Sequence, residues 1–306
     1  AEYMGILNKS TMVVFTPLQS TAFKYLPTIR VASLFNRASQ SHEKQFTTSQ
    51  ARKSLFPGCV SGGKELRSTD IVALEYADLK LTDKNSTACD FGHVRIRQHV
   101  NPLSSSFLEP APVPDWNQFY ENPNLPLMVD IGCGGGRFLI LLAKRNTSSG
   151  NYLGLEIRQK LVKRAELWVK ELTLNNIGFL FANATVSFRH LVKSYPGPIK
   201  LVSILCPDPH FKRRHKKRRV LQKHLVDEIA ACLEVNGEVF IQSDVPEVAA
   251  EMRGQFDEIM LHLDEKGCDE NGWLLRNPMG IRTEREIHAE FEGSKIYRRL
   301  YKKLCL

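Results

Sequence analysis

Paired cysteine spacings are missing from this chain. Its seven cysteines (Cys59, Cys89, Cys133, Cys206, Cys232, Cys268 and Cys305) are odd in number, widely spread, and form no CxxC or Cys/His pair. A disulfide framework and a structural zinc site are therefore not expected, and the thiols read as reduced and mostly buried. Long apolar runs are absent as well: the densest, Phe138 to Ala143, sits inside an amphipathic pattern and is far too short to cross a bilayer. No membrane partner is expected. Acids are scarce at the start, where residues 1–60 hold only Glu2 and Glu43 against Lys9, Lys24, Arg30, Arg37, Lys44, Arg52 and Lys53, with many Ser and Thr between. This is the composition of an organelle transit peptide or of an unstructured leader. The apolar patch Met12 to Phe15 is too small for a secretory signal.

What is present is positive charge, and much of it lies in one place. The 306 residues carry a formal net charge of +9, with an ordinary 42% hydrophobic content that allows one large domain or two modest ones. Within Pro207 to Arg219 (PDPHFKRRHKKRR), Asp208 is followed by Lys212, Arg213, Arg214, Lys216, Lys217, Arg218 and Arg219. The run follows the apolar stretch Leu201 to Cys206, so it reads as a loop mounted on a buried strand, and the flanking prolines stiffen the turn that presents Asp208. Charge concentrated in this way favours a phosphate-bearing partner, against the alternative of a basic surface kept for solubility.

The order of parts predicts a leader (1–60), an N-terminal extension with a proline-punctuated arm (61–125) and one α/β domain (126–306). Residues 61–90 are mixed and give no clear element, while Pro102, Pro110, Pro112, Pro114, Pro123 and Pro126 mark an arm lying over the domain. Strands are predicted at Leu127–Ile131, Tyr152–Glu156, near Ile177–Phe181, Lys200–Leu205 and Glu238–Ser243. Helices are predicted from Arg137 to about Lys144, about Gln159 to Leu174, about Val220 to Leu233 and about Glu247 to Glu258. The second of these rests on Leu161, Arg164, Ala165, Trp168, Val169 and Leu172, which share one helical face. Near-continuous apolar strands alternating with helices imply a parallel sheet covered on both faces.

After the first strand comes VDIGCGGGRF, with Asp130, Gly132, Gly134, Gly135 and Gly136 at a strand-to-helix turn where the backbone can approach a ligand. A dinucleotide fingerprint would place glycine at position 137, which is Arg137. The acid-x-Gly-x-Gly-x-Gly order instead resembles S-adenosylmethionine-dependent methyltransferases, and Asp130 suits a cofactor with a positively charged amino acid part. Glu156 ends the second strand, where a carboxylate can accept from both ribose hydroxyls or can pair with Arg158. Asn183 and Ala184 follow the third strand, where an amide could read an adenine edge.

These motifs, with RIRQHVNPL (Arg95–Leu103), YLGLEIR (Tyr152–Arg158), QSD (Gln242–Asp244) and RTERE (Arg282–Glu286), together resemble the tRNA (guanine-N7-)-methyltransferase family from Arg95 to the C-terminus. PDPHF is closer to the eukaryotic form, because many bacterial members carry Trp where this chain has His210. The resemblance implies a Rossmann-like class I methyltransferase with a mostly parallel seven-stranded sheet and helices on both faces. It implies S-adenosylmethionine as cofactor, touched by Gly132, Gly134, Glu156, Ile157, Arg158, Asn183, Ala184 and Leu205 with Asp130 close by. Asp208 would be catalytic, and Lys212, Asp244, Thr283 and Glu286 would face the substrate.

N7 of guanine carries a lone pair and no proton, so its methylation needs alignment and stabilisation of a developing cation more than a strong base. Asp208 fits that role, and His210 and Phe211 could stack on the base, with core packing as the alternative for Phe211. Thr283 and Glu286 could equally be a helix capping box. The terminal Arg298, Arg299, Lys302 and Lys303 either touch phosphates or solvate a last strand. The expected product is 7-methylguanosine in tRNA; the competing readings are a methyltransferase for another RNA or for protein, and an inactive RNA-binding module. Eukaryotic relatives act with a β-propeller partner and bacterial ones without. A chloroplast form, the placement the leader suggests ahead of mitochondrion or cytosol, is expected to act alone.

Overall fold

Apolar strands separated by amphipathic helices assemble here into three layers, helix, sheet and helix, in a computed structural model that describes residues 66–81, 100–262 and 267–304. The expected leader and the motif residues Arg95 to His99 lie outside the described residues. In chain order the elements are α1 (Ser68–Glu75), α2 (Trp116–Phe119), β1 (Leu127–Ile131), α3 (Arg137–Arg145), β2 (Asn151–Glu156), α4 (Gln159–Glu171), β3 (Ile177–Phe181) and α5 (Ala184–Lys193). They continue with β4 (Ile199–Leu205), a 3-10 turn over Arg213–Arg218, α6 (Lys223–Cys232), β5 (Glu238–Ser243), α7 (Pro246–Asp257), β6 (Leu261–His262), α8 (Glu284–Phe291) and β7 (Tyr297–Lys302).

The strand order is β3-β2-β1-β4-β5-β7-β6. Strands β1 to β5 are parallel, and β7 runs antiparallel to both β5 and β6. The seventh strand, β6, is a two-residue edge piece, so six strands carry the sheet. From β1 the chain moves outward through β2 and β3, then returns to pair β4 on the other side of β1. That reversal opens a crevice at the carboxyl ends of β1 and β4, the place where open α/β sheets hold ligands.

Strand side chains alternate between two cores, as a period of two requires. Leu127, Val129 and Ile131 face Trp116, Phe188, Leu191, Leu225 and Met252 from α2, α5, α6 and α7. Met128 faces Val72, Tyr76, Leu139, Ala165, Trp168 and Ile287 from α1, α3, α4 and α8. The unassigned stretch 61–90 thus contributes a packed helix, α1. Arg282 anchors it, donating from its backbone N (2.9 Å) and from Nη2 (2.7 Å) to the Glu75 carboxylate.

Three elements differ from expectation. Helix α4 stops before Leu174 because Thr173 takes a left-handed φ of +51°. The Thr173 and Leu174 amides then donate back to the carbonyls of Lys170 and Val169, a Schellman closure that satisfies the last turn. Helix α5 was not anticipated, although Asn183 caps it and Phe188, Leu191 and Val192 mark its buried face. Helix α6 begins at Lys223, because its N-cap residue Gln222 is extended, with φ −122° and ψ 155°. The final strand is not a solvated basic edge either. Arg298 and Arg299 are each 6% exposed, and Arg298 Nη2 donates to Glu286 Oε1 at 2.6 Å.

Candidate active site

The glycine turn after β1 is held by the sheet itself: the Gly132 and Cys133 amides donate to the Leu155 carbonyl of β2 at 2.8 and 3.2 Å. Two of its glycines are required for different reasons. Gly136 has φ +79°, and a Cβ there would meet the Phe179 ring at 2.7 Å. Gly132 has φ +78° and lines the cleft, where an added Cβ would meet no atom within 4 Å. The backbone is thus bare toward the cleft at Gly132 and packed against its own core at Gly136.

The cleft has a volume of about 300 Å³ and lies at the carboxyl ends of β1, β2 and β4. Gly132, Glu156, Ile157, Arg158, Asn183, Ala184 and Asp208 all line it, so the fold gathers these predicted residues from four separate parts of the chain. Glu156 is 2% exposed and accepts the Gly134 amide at 2.9 Å, which gives Gly134 a place under the wall. Arg158 forks onto the same carboxylate, Nε to Oε1 at 2.9 Å and Nη2 to Oε2 at 3.0 Å. Asn183 is not turned to a ligand edge. Its Oδ1 accepts the Thr185 amide, while Nδ2 donates to the carbonyls of Pro102 (3.2 Å) and Phe107 (3.1 Å). It ties the arm, whose Val100 and Pro102 form part of the cleft wall.

Asp130 lies beneath the turn, 3% exposed, and accepts from Ser203 Oγ at 2.6 Å. Burial pushes its carboxyl up to about 7, the Ser203 hydroxyl opposes that rise, and the Glu156 charge adds to it. Leu205 is partly buried against the core that holds Met128, and the next residue, Cys206, takes the cleft position. Burial raises the Cys206 thiol to about 12, so it is no nucleophile at neutral pH.

Asp208 stands on a turn whose two ends are both left-handed, Cys206 at φ +48° and His210 at φ +41°. Such conformations in residues other than glycine cost about 1–3 kcal/mol each and concentrate at functional sites. The turn orients the acid: the His210 amide donates to Asp208 Oδ1 at 3.2 Å, and His210 Nε2 stands 3.7 Å from Oδ2. The His210 side chain is 9% exposed and lines the cleft, whereas Phe211 is 74% exposed, which excludes core packing for it.

The residues expected to face substrate fall elsewhere. Lys212 is exposed at the start of the 3-10 turn and does not line the cleft. Asp244 is taken by Arg285, with Nη2 at 2.6 Å and Nε at 3.0 Å. Thr283 and Glu286 form the capping box of α8, and Glu286, fully buried, also accepts from Gln242, Asn277 and Arg298. Of the basic run, Arg218 reaches the cleft, and Arg219 is drawn inside the fold at 8% exposure. Alternation of apolar strands with a charged loop could not separate these two from their exposed neighbours.

A mostly parallel sheet with a bare glycine turn after β1, an acid ending β2 and a cleft at the point of strand reversal defines a class I, Rossmann-like methyltransferase. The family described as "Putative methyltransferase" matches residues 124–299. A tRNA (guanine-N(7)-)-methyltransferase of Synechococcus sp. (strain JA-2-3B'a(2-13)) is 49% identical over 207 residues, 68% of this chain and 83% of the relative. One from Synechococcus sp. (strain JA-3-3Ab) is 47% identical over 67% of this chain and 84% of its own. Another, from Trichormus variabilis, is 42% identical over 69% of this chain and 97% of its own. The chain belongs to the tRNA (guanine-N(7)-)-methyltransferase family.

Proposed function

We propose that the chain methylates N7 of a guanosine in tRNA, giving 7-methylguanosine, and that the cleft bearing Asp208 is where it does so. The observation that carries the placement is the presence of one turn-mounted carboxylate in the same cleft as the Gly132–Glu156 wall, with a run of cations leading away from it. S-adenosylmethionine is the cofactor, and it supplies an electrophilic methyl group on a sulfonium. The residues fit it: Gly132 leaves room where a Cβ would project, Glu156 places its carboxylate in the cleft lining at the end of β2, and Ile157 and Ala184 supply apolar wall.

Asp208 faces a base whose N7 needs no deprotonation. Its work is to align the guanine through the ring's N–H donors and to oppose the positive charge that develops on the ring. The His210 amide holds the carboxylate in one orientation, so little reorganisation accompanies the reaction. The exposed cations Lys212, Arg213, Arg214, Lys216 and Lys217 hold phosphates, which gives affinity without base selection.

Purified chain with methyl-labelled S-adenosylmethionine, offered tRNA, rRNA and protein in parallel, tests the reading. Label in tRNA, located by chemical cleavage at 7-methylguanosine, is expected; label confined to rRNA or protein overturns it.

Residues 1–60 are proposed as a transit peptide for an organelle, the chloroplast first, on the strength of their scarcity of acids and wealth of Ser, Thr and basic residues. The enzyme is further proposed to act without a β-propeller subunit. Import of a reporter fused to residues 1–60 tests the first, and turnover by the chain alone tests the second. No helix among the described residues is long and apolar enough to cross a membrane.

A further inference from the structure

We propose that Arg219 and Glu251 form a strut that sets the position of the Asp208 turn, making Arg219 a positioning residue in methyl transfer and not a phosphate contact. This rests on the role of Asp208 given above. Arg219 closes the basic run, yet it is 8% exposed while Lys212, Arg213, Arg214, Lys216 and Lys217 face solvent. Its Nε donates to the Pro209 carbonyl at 2.8 Å, and its Nη1 pairs with Glu251 of α7. Proline has no N–H, so that carbonyl is the one backbone group Pro209 can pair, and Arg219 takes it. The backbone of Arg219 is fixed in turn, its N–H donating to Lys216 O at 3.0 Å and its carbonyl accepting from Gln222 Nε2 at 2.9 Å.

Pro209 lies between Asp208 and His210, in a turn with left-handed residues at both ends. Backbone of that kind persists where its surroundings over-determine it. Packing nearly closes the space behind the turn. Behind the turn Asp208, Arg219, Glu251, Met252 and Gln255 line a small cavity of about 10 Å³, room for no more than about one water. The ion pair adds a directed tie across that packing. Val248 and Met252 fasten α7 to the core, Glu251 projects from α7, and Arg219 carries that position to the carbonyl beside Asp208. Lys216 Nζ, at 4.0 Å from the same Glu251 oxygen, is the other cation near it.

The two readings of Arg219 give opposite results in the intact chain. Glu251→Gln removes a negative charge beside a polyanion site, so a purely electrostatic role predicts tRNA binding unchanged or tighter and turnover maintained. The strut predicts a kcat lower by about tenfold to a hundredfold, the order expected for a reacting group displaced by a fraction of an ångström to one ångström, with tRNA Kd not weakened. Arg219→Lys keeps the charge and loses the fork. It should show the same fall in kcat with an unchanged salt slope of tRNA binding, and it carries the test if Glu251→Gln fails to fold. Wild-type kcat in either folded variant overturns the strut, as does a salt slope shallower by about one in Arg219→Gln with kcat intact, which would mark a phosphate contact. Asp208→Asn run alongside separates the two levels: full turnover there removes the role of Asp208, whereas an inactive Asp208→Asn with a wild-type Glu251→Gln removes the strut alone.

Discussion

Glu156, the last residue of β2, and Arg158, two positions on, form a forked ion pair in which Nε meets Oε1 at 2.9 Å and Nη2 meets Oε2 at 3.0 Å. The amides of Gly134 and Arg158 add two further bonds, also at 2.9 Å, so a 2% exposed carboxylate is fixed by four donors before any ribose reaches it. Hydrogen bonds to a charged group contribute about 1.5–3 kcal/mol, and Glu156→Gln should therefore weaken S-adenosylmethionine binding by about tenfold or more. Titration calorimetry checks this, and a Kd within about twofold of the wild type would take Glu156 out of the cofactor site.

Glu286 predicts a loss of a different kind. It is fully buried against Arg298, which is itself 7% exposed at the side chain, and it closes the capping box with Thr283. Removing one partner of a buried pair leaves the other uncompensated, at about 3–5 kcal/mol, and Glu290 on the same Arg298 Nη2 (2.9 Å) should hold the cost toward the lower end. Urea unfolding of Glu286→Ala reads this directly. A stable variant with impaired tRNA methylation would restore Glu286 to the substrate side.

Asp130 makes stability depend on pH. Its folded value is raised from 3.8 to about 7, so between those limits the native state holds a proton that the unfolded chain has released. Stability from this group is therefore greatest below about pH 4 and declines as pH rises toward about 7. Asp130→Asn should flatten that part of the curve, seen as a smaller difference in urea midpoint between about pH 5 and about pH 8. Equal slopes in wild type and variant would refute a raised value.

The exposed cations should act on affinity alone. Lys217 lies in the 3-10 turn, away from the cleft lining, and Lys217→Ala should weaken all tRNAs alike and reduce the salt slope of binding by about one. Filter binding across a salt series checks it; a change in kcat with the slope intact would place Lys217 in the chemistry.

Strand positions were legible because a parallel strand buried on both faces needs a near-continuous apolar run. Leu127–Ile131 and Glu238–Ser243 fall where the pattern places them. Helix α5 was less legible, since Ser187 breaks its apolar stripe to bond Ala111 N, and its C-cap Ser194 accepts from Trp116 Nε1. Glycine spacing could be read because a turn that needs positive φ admits few residue types.

By itself the sequence determined the three-layer class, the glycine turn, Glu156 at the end of its strand and Asp208 ahead of a basic run, because these depend on local periodicity and on backbone conformations few residues accept. The tertiary structure decided which side chains share the cleft. Asn183 went to the arm, Thr283 and Glu286 to a cap, Asp244 to Arg285, and Arg219 to Glu251. Apart from the cap, which is local, each choice is made by a partner distant in the chain, and a buried polar group must take whichever partner packing brings within reach.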